Sequence, residues 1–228
     1  EDTKIVSTFS EYLKELLTSE TMRFKCKNDG TGCQEYLGEE AMIFHESECI
    51  YRVVECPNLD CSAKVQFYKL LDIMEKKNEF LVAKIGIQQC QLTDQEFLTG
   101  KFKMIPIRFE MDGKVFFSIG QVEGETFYHW VYMIGSQFEA KNYSYTLEYF
   151  GTSRSTCTYT GQVVPIDESS HSIIKIGNCF GMNYKVFKLQ FIDETFRFNY
   201  SVKIRKLKEE AKDENVESGV SDVSDDNE

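Results

Sequence analysis

Two patterns of hydrophobic and polar positions follow one another along the chain. Near the start, a capping-box sequence from Thr8 to Glu11 leads into apolar residues at helical spacing, which predicts an amphipathic helix over residues 8–18. From about Glu79 onward, aromatic and β-branched residues dominate and turn residues separate the runs, which predicts β-strands. The predicted strands cover residues 80–87, 102–110, 114–122, 126–134, 143–150, 156–166 and 196–204.

The turn residues between these strands indicate how neighbouring strands pair. Asp112-Gly113 and Glu123-Gly124 are dipeptides that favour tight hairpins, so the strands that they join should run antiparallel. Strands at this spacing, with no long helix between them, are typical of an antiparallel β-sandwich. Residues 184–192 are ambiguous between strand and helix. We therefore predict a mainly β fold.

The charge balance disfavours some classes of partner. The 228-residue chain has a formal net charge of −11 at pH 7, which would repel a nucleic-acid backbone. Over half of this charge lies in residues 206–228, where nine acidic residues accompany three lysines and predict a disordered tail. No apolar run approaches the length of a membrane span, and the start at Glu1 does not resemble a signal peptide. We predict a cytoplasmic or nuclear protein without nucleic-acid or membrane partners.

Five of the eight cysteines fall between residues 26 and 61, and this clustering requires a local explanation. One explanation is a disulfide framework in a secreted protein, which two glycosylation sequons, at Asn142 and Asn199, would favour. The other explanation is metal binding, which does not need an oxidising compartment. The spacing of the cysteines and of one histidine favours metal.

The first candidate site contains Cys26, Cys33, His45 and Cys49. Asn, Asp and Gly residues between the first two cysteines supply bends that let their thiolates converge. His45 and Cys49 are four residues apart, so a helix with its first turn at residues 39–42 would place them on one face. Three thiolates and one imidazole fill a tetrahedral shell, which predicts a structural zinc site. The alternative is a set of reduced core thiols beside an unrelated histidine.

A second cysteine pair, Cys56 and Cys61, also flanks a turn-rich segment. Repeating the spacing of the first site would place its partners at Ile73 and Asn78, and neither residue is a zinc ligand. Asp72 offers an oxygen ligand instead, but apolar residues could hold this segment together without metal. We predict one zinc ion, with a second, degenerate metal site at Cys56 and Cys61 as the less favoured hypothesis.

The other two histidines, His129 and His171, are the remaining candidates for acid–base chemistry. Each lies near acidic residues, but neither has a nucleophile at the spacing of a catalytic motif. We therefore predict that this chain contains no catalytic residue.

These motifs together resemble the seven-in-absentia (SINA/SIAH) family of RING ubiquitin ligases. The resemblance rests on the four ligands of the first site, on the second cysteine pair, and on residues 130–135 and 140–148 of the later half. It covers the chain from about Phe24 to Leu207. In that family, two zinc fingers follow the RING and precede a TRAF-like β-sandwich that binds substrates.

The resemblance implies a division of the chain into four parts. We expect an amphipathic helix and linker at residues 1–22, and a zinc-finger module with a degenerate second finger at residues 23–78. A TRAF-like sandwich would follow at residues 79–207, and an acidic disordered tail at residues 208–228. The resemblance also implies that the ambiguous segment, residues 184–192, contains a short helix.

The function implied by the resemblance is substrate recognition for a RING ubiquitin ligase, with target proteins bound for ubiquitination and proteasomal degradation. Extended target segments would add to an exposed sheet edge, and a second edge would form a homodimer. Individual groove residues cannot be assigned, because residues 91–109 diverge from the family.

The catalytic RING of the family does not precede the first finger in this chain. No cysteine lies before Cys26, so an E2 enzyme would be recruited only through a RING outside this chain. The first residue is Glu1 rather than Met, and we expect further sequence upstream. Without a RING, the same fold would act as an adaptor or competitor that binds the same partners.

Overall fold

The computed structural model describes residues 22–57, 63–77, 80–151 and 154–207. The predicted helix at residues 8–18 and the predicted acidic tail lie outside the described residues. Over the described residues the fold is mainly β, with several sheets, as predicted. None of the helices in these ranges combines the length and the apolar character that crossing a membrane requires.

The described chain begins with a small hairpin and a helix. Strands β1 (Phe24–Lys25) and β2 (Tyr36–Leu37) pair antiparallel on either side of a 3-10 turn at Asp29–Thr31. Helix α1 (Glu39–Glu48) follows, and two glutamates in its first turn interact favourably with the positive end of the helix dipole. Helix α1 is the helix that the spacing of the third and fourth ligands predicted.

A second hairpin and helix follow the first. Strand β3 (Val53–Glu55) pairs antiparallel with β4 (Lys64–Gln66), and helix α2 (Leu70–Lys77) comes after a short 3-10 turn. Leu70 and Met74 lie one helical turn apart on α2, and both are buried. They belong to one continuous hydrophobic cluster with the core of the following domain, so α2 packs against that domain.

The rest of the described chain forms two facing sheets. One sheet contains β6 (Gly86–Gln91), β10 (Tyr143–Phe150), β11 (Thr156–Gln162) and β14 (Arg197–Lys206). Its spatial order is β11-β10-β14-β6, and all its pairs are antiparallel. The other sheet contains β5 (Leu81–Val82), β7 (Ile107–Met111), β8 (Lys114–Glu123), β9 (Thr126–Met133), β12 (Val164–Pro165) and β13 (Phe180–Asn183).

The six-stranded sheet has the order β12-β9-β8-β7-β5, and β13 pairs with the first half of β9. Most of its pairs are antiparallel, but β12 lies parallel to β9 and β5 lies parallel to β7. Four short helices connect the strands: α3 (Asp94–Thr99), α4 (Gln137–Ala140), α5 (Ser170–Ile176) and α6 (Tyr184–Phe191). Helix α6 agrees with the helix that the family resemblance implied at this place.

The alternation of side chains shows which faces of the sheets meet. Along β10 every second residue is buried, from Tyr143 to Tyr149. The Tyr149 ring packs against Phe127 of β9, with centroids 6.3 Å apart, and Phe127 also contacts Phe198 of β14 at 5.9 Å. Aromatic residues from both sheets therefore meet in one core. This arrangement is the predicted β-sandwich, with two parallel pairs added at its margins.

The hairpin turns lie close to their predicted places. Asp112 and Gly113 both have positive φ angles, 52° and 70°, as a two-residue type I′ turn requires. In the next hairpin, Glu123 pairs with Thr126 as part of the strands. The turn there consists of residues 124 and 125, one position later than predicted.

Two of the predicted strands are each divided between the sheets. The prediction of one strand over residues 80–87 is wrong, because β5 ends at Val82 in one sheet and β6 starts at Gly86 in the other. Gly86 has a φ of 143°, a conformation that glycine adopts readily, which suits the change of direction. Residues 156–166 likewise divide into β11 and β12. The sequence pattern does not reveal such a crossing, because the sheet that a strand joins depends on partner strands that are distant along the chain.

Candidate metal centre

The residues of the first candidate site lie on three neighbouring local elements. Cys26 directly follows β1, and its N–H donates to the carbonyl of Glu35 at 3.1 Å. Cys33 follows the 3-10 turn, and its N–H donates to the carbonyl of Asn28, also at 3.1 Å. His45 lies within α1 and Cys49 ends it, so the two share one face of the helix. The hairpin therefore presents two thiols to the helix face that carries the other two ligands.

The four ligand atoms are close enough to share one metal ion, since all lie within 4.8 Å of one another. Cys26 Sγ is 3.9 Å from Cys49 Sγ, and Cys33 Sγ is 3.3 Å from His45 Nε2. In a tetrahedral zinc site with Zn–S bonds of about 2.3 Å, two sulfur ligands lie about 3.8 Å apart. The group therefore fits one tetrahedral metal ion.

Burial has a large effect on the protonation of the thiols in this centre. The three cysteines are buried and His45 is half-buried. Burial, together with hydrogen bonds to the thiols of Cys26 and Cys49, raises the pKa of Cys33 to about 11. Such a thiol stays protonated at neutral pH unless a cation stabilises the thiolate, and a metal ion would supply that charge. Four protein ligands leave no open position for water, so the site suits a structural metal.

Asn28 supports the ligands in a way that the sequence did not indicate. Sequence reasoning assigned Asn28 only a bend between the first two cysteines. Its side chain is buried, and both its backbone N–H and its Nδ2 donate to Cys26 Sγ, at 3.4 and 3.6 Å. Hydrogen bonds of this kind orient a ligand and stabilise its ionised form.

Arg52 connects the metal centre to the sandwich, and sequence reasoning missed it altogether. Its guanidinium donates to the carbonyl of Cys49 at 3.0 Å and to the carbonyl of Gly135 at 3.1 Å. Its Nε lies 3.6 Å from Asp167, and its guanidinium carbon lies 3.7 Å from the ring centroid of Phe67. Burial lowers the pKa of Arg52, and the charge of Asp167 opposes that shift. One buried side chain thus joins a ligand residue to segments that follow β9 and β12.

The second cysteine pair is described only in part. Cys56 is buried directly after β3, whereas Cys61 and Asn78 lie outside the described residues. On α2, Asp72 is exposed and Ile73 is half-buried. Across the ranges that the structure describes, the first site is the one group of three or more Cys, His, Asp or Glu residues that can hold a metal ion. Metal binding at the second pair therefore stays a prediction.

His129 is a core residue of the sandwich. It is fully buried, with Nε2 2.6 Å from Ser118 Oγ and Nδ1 2.7 Å from the hydroxyl of Tyr149. Burial lowers its pKa to about 3, so the ring is neutral at physiological pH. His171 is exposed on α5. The geometry explains His129 as a hydrogen-bonding link between the two sheets.

Comparison with known proteins adds no family to this description. No protein-family model matches the chain, and none of the curated proteins matches it significantly. The resemblance to the seven-in-absentia family therefore rests on the ligand spacing and on the motifs of the later half.

Proposed function

We propose that this chain is the zinc-binding substrate-recognition part of a seven-in-absentia-like RING ubiquitin ligase. The observation that carries the proposal is a closed group of three cysteines and one histidine, joined through Arg52 to a β-sandwich. In this proposal the metal has no catalytic role. It holds the first finger in shape, and Arg52 fixes the finger against the domain that binds targets.

The metal of this proposal is zinc. Thiolates select soft or borderline ions, and three thiolates with one imidazole at tetrahedral spacing are typical of structural zinc sites. Cys26, Cys33, His45 and Cys49 would be its ligands. Zinc would supply the positive charge that buried thiolates require, and it would do no further chemistry.

An exposed sheet edge would bind the target protein as an added strand. Residues 101–106 continue along β8 before β7 begins, since the N–H of Met104 donates to the carbonyl of Gly120 at 2.7 Å. Pro106 lacks an N–H, which explains why the strand predicted over residues 102–110 starts only after it. Ile105 is exposed in this run. The run lies where the resemblance places the peptide-binding edge, so it is our first candidate.

The four-stranded sheet offers two further edges. Its terminal strands, β6 and β11, have six and seven residues, which is long enough to pair with an extended peptide. On β6, the side chain of Ile87 is exposed at the edge. Backbone hydrogen bonds would supply affinity at such an edge, and pockets for alternate side chains would supply selectivity. One edge would serve targets and another the homodimer that the resemblance implies.

A peptide array probed with zinc-loaded protein tests the proposed target recognition. We expect extended peptides among the binders, and we expect N-methylation of alternate residues to weaken them at least about tenfold, since it removes backbone donors. The parent peptides with the same side chains are the control. If protein that is folded and zinc-loaded binds no extended peptide, target recognition by strand addition is wrong.

The second candidate function is an adaptor or competitor that transfers no ubiquitin. The one Cys/His group found within the described ranges fits this function as well as the first, since a RING would need metal sites of its own. A reconstituted ubiquitination reaction distinguishes the two functions. Modification of a bound target by the chain with its natural upstream sequence supports the ligase, whereas protection of that target from another ligase supports the competitor.

A further inference from the structure

A groove of about 340 Å³ lies between helices α3 and α6 of the sandwich. Its lining is mostly apolar and includes Leu98 and Leu189, which are 76% and 81% exposed. A single exposed leucine is ordinary on a protein surface, but two of them at a concave apolar lining are typical of a binding site. We call this site the α3–α6 groove; it is lined by residues 97–100, 184, 185, 188 and 189.

The walls of the groove are fixed to the core of the sandwich. Gly100 ends α3 with a φ of 64°, and a Cβ at this position would lie 2.9 Å from the ring of Tyr184. Glycine therefore lets that ring pack directly on the backbone between the two helices. Tyr184 is buried and contacts Phe102, with centroids 6.0 Å apart, and Phe97 contacts Phe196 at 4.6 Å. A partner would meet a preformed surface, which lowers the cost of binding.

The charged residues among those described in the lining are both lysines, Lys185 and Lys188. Lys188 Nζ donates to the carbonyl of Phe97 at 3.2 Å and lies 3.9 Å from the centroid of that ring. Among the described residues, no carboxylate forms a salt bridge with Lys188. Lys185 pairs with Glu125 at 3.6 Å, but both side chains are largely exposed, so this pair is weak. The groove therefore suits a ligand that offers a carboxylate beside an apolar group.

The acidic balance of the whole chain does not cancel this local preference. The net charge of −11 is distributed over the chain, and over half of it lies in residues 206–228. At physiological ionic strength, exposed charges more than about 8 Å apart are largely screened from one another. The two lysines at the groove therefore determine which charge the groove attracts at contact distance.

The groove lies at the end of the sandwich that is remote from both ends of the described chain. Helix α6 starts beside the β8–β9 turn, since the N–H of Tyr184 donates to the carbonyl of Glu125 at 2.7 Å. The finger meets the sandwich at Gly135, beyond the opposite end of β9. Strand β14 begins near the groove, because Phe196 contacts α3, and its ten residues then span about 33 Å to Lys206. This placement favours a partner protein as the occupant over the termini of this chain.

We propose that the α3–α6 groove binds an acidic segment of a partner protein. One apolar side chain of that segment would pack against Leu98 and Leu189, and a neighbouring carboxylate would pair with Lys188. This mode of binding uses side chains of two helices, and it differs from strand addition at a sheet edge. The inference does not rest on the proposed ligase function, because the groove and its charges belong to the sandwich itself.

Fluorescence anisotropy with short labelled peptides tests the groove in the full, zinc-loaded chain. The probes are peptides in which one Leu, Phe, Met or Trp is flanked by Asp and Glu. We expect some of them to bind, and we expect Leu189→Glu and Lys188→Glu each to weaken binding about tenfold or more, because each change removes a contact and adds a like charge. Peptides with the same apolar residue but Asn and Gln in place of Asp and Glu should bind more weakly.

Exposed residues of α5, outside the groove, supply the matched control variants. Lys175→Glu and Ile176→Glu make the same chemical changes there and should leave peptide binding unchanged. Denaturant midpoints measured for all four variants show that each is folded. If no acidic peptide binds, if the amide peptides bind equally well, or if Leu189→Glu binds as tightly as the unaltered chain, the proposal is wrong.

Photo-cross-linking distinguishes a partner segment from the other possible occupants of the groove. The full, zinc-loaded chain carries p-benzoylphenylalanine in place of Leu98, and ¹⁴N- and ¹⁵N-labelled protein are mixed before irradiation. Cross-links to the acidic peptide that bound most tightly support the proposal. Without peptide, cross-links between labelled and unlabelled chains would assign the groove to a second copy, and cross-links within one chain to residues 208–228 would assign it to that segment. Either result would overturn the proposal.

Discussion

The first hairpin with α1 (the first half) and the second hairpin with α2 (the second half) are held together by different means. Apart from Asn28, the buried residues of the first half form a separate small cluster that consists of Cys26, Cys33, Met42 and Cys49. Three of these four residues are ligands of the candidate metal centre. In the second half, Leu70 and Met74 belong instead to the continuous core of the β-sandwich.

The comparison gives a physical reason for a full ligand group in the first half. A module of about thirty residues buries little apolar surface, and a metal ion held by that group would supply the missing stability. The second half shares the core of a larger domain and has apolar contacts without one. Residues such as Ile73, at a place where the first site has a ligand, are then compatible with folding.

Removing the metal should have the largest effect on stability, and it should affect the first half far more than the sandwich. Structural zinc contributes about 10 to 16 kcal/mol in zinc-finger peptides, which exceeds the stability expected of so small a module. Chelation, or Cys33→Ser, should therefore unfold residues 24–50 and leave the sandwich folded. Amide hydrogen exchange followed by mass spectrometry measures both regions in one sample. If β8 and β9 lose protection together with residues 24–50, the metal stabilises both regions, and the difference between them is wrong.

Truncation of a buried residue in the second half should have the next largest effect. Leu70→Ala should lower the free energy of unfolding of the sandwich by about 2 to 5 kcal/mol, because it opens a cavity in the shared core. Zinc content should not change. The matched control, Leu189→Ala, alters an exposed leucine and should cost less than about 0.5 kcal/mol in a denaturant titration. If Leu70→Ala leaves the denaturant midpoint of the sandwich unchanged, α2 does not contribute to that core.

Arg52→Ala tests the connection between the two regions. The change leaves the carbonyls of Cys49 and Gly135 without this donor, and it should cost about 1 to 3 kcal/mol. Hydrogen exchange should rise in α1 and around Gly135, with zinc still bound. Arg52→Lys keeps the charge without the planar fork and should give an intermediate effect. Exchange that rises at neither place would mean that other contacts suffice to hold the finger.

Acid should weaken the sandwich through His129, independently of the metal. The folded chain holds the pKa of His129 at about 3, below its ordinary 6.5, so below pH 6.5 the unfolded chain binds a proton that the folded chain does not. Stability should therefore fall as the pH decreases from 6.5 toward 3, by about 2 kcal/mol between pH 7 and pH 5. Denaturant titrations of zinc-free protein measure this loss. His129→Gln, which cannot titrate, should remove most of this loss of stability. If the variant loses as much stability as the unaltered chain, another group causes the acid sensitivity.

The features that depend on neighbouring residues were predictable from the sequence. The ligand group and α1 follow from spacings within 24 residues, and the strands of the sandwich follow from local runs of aromatic and β-branched residues. Hairpin pairing could also be predicted, because the turn residues lie directly between the paired strands.

The features that depend on distant partners were not predictable. Arg52 meets Gly135, which lies 83 residues later, and nothing in the local pattern around Arg52 indicates that contact. The division of residues 80–87 between two sheets likewise depends on pairing with β7 and β14. Asn28 is close to its partner, but its hydrogen bonds to Cys26 Sγ require a geometry that the sequence does not specify.

The zinc content of the purified, folded chain, measured by native mass spectrometry, tests the central claim most directly. We predict one zinc ion per chain, lost in Cys49→Ser and retained in Cys56→Ser. A second ion that is lost in Cys56→Ser would show that both halves are metal-held. A folded chain that binds no zinc, or zinc that survives Cys49→Ser, would contradict the assignment of Cys26, Cys33, His45 and Cys49 as a structural zinc site.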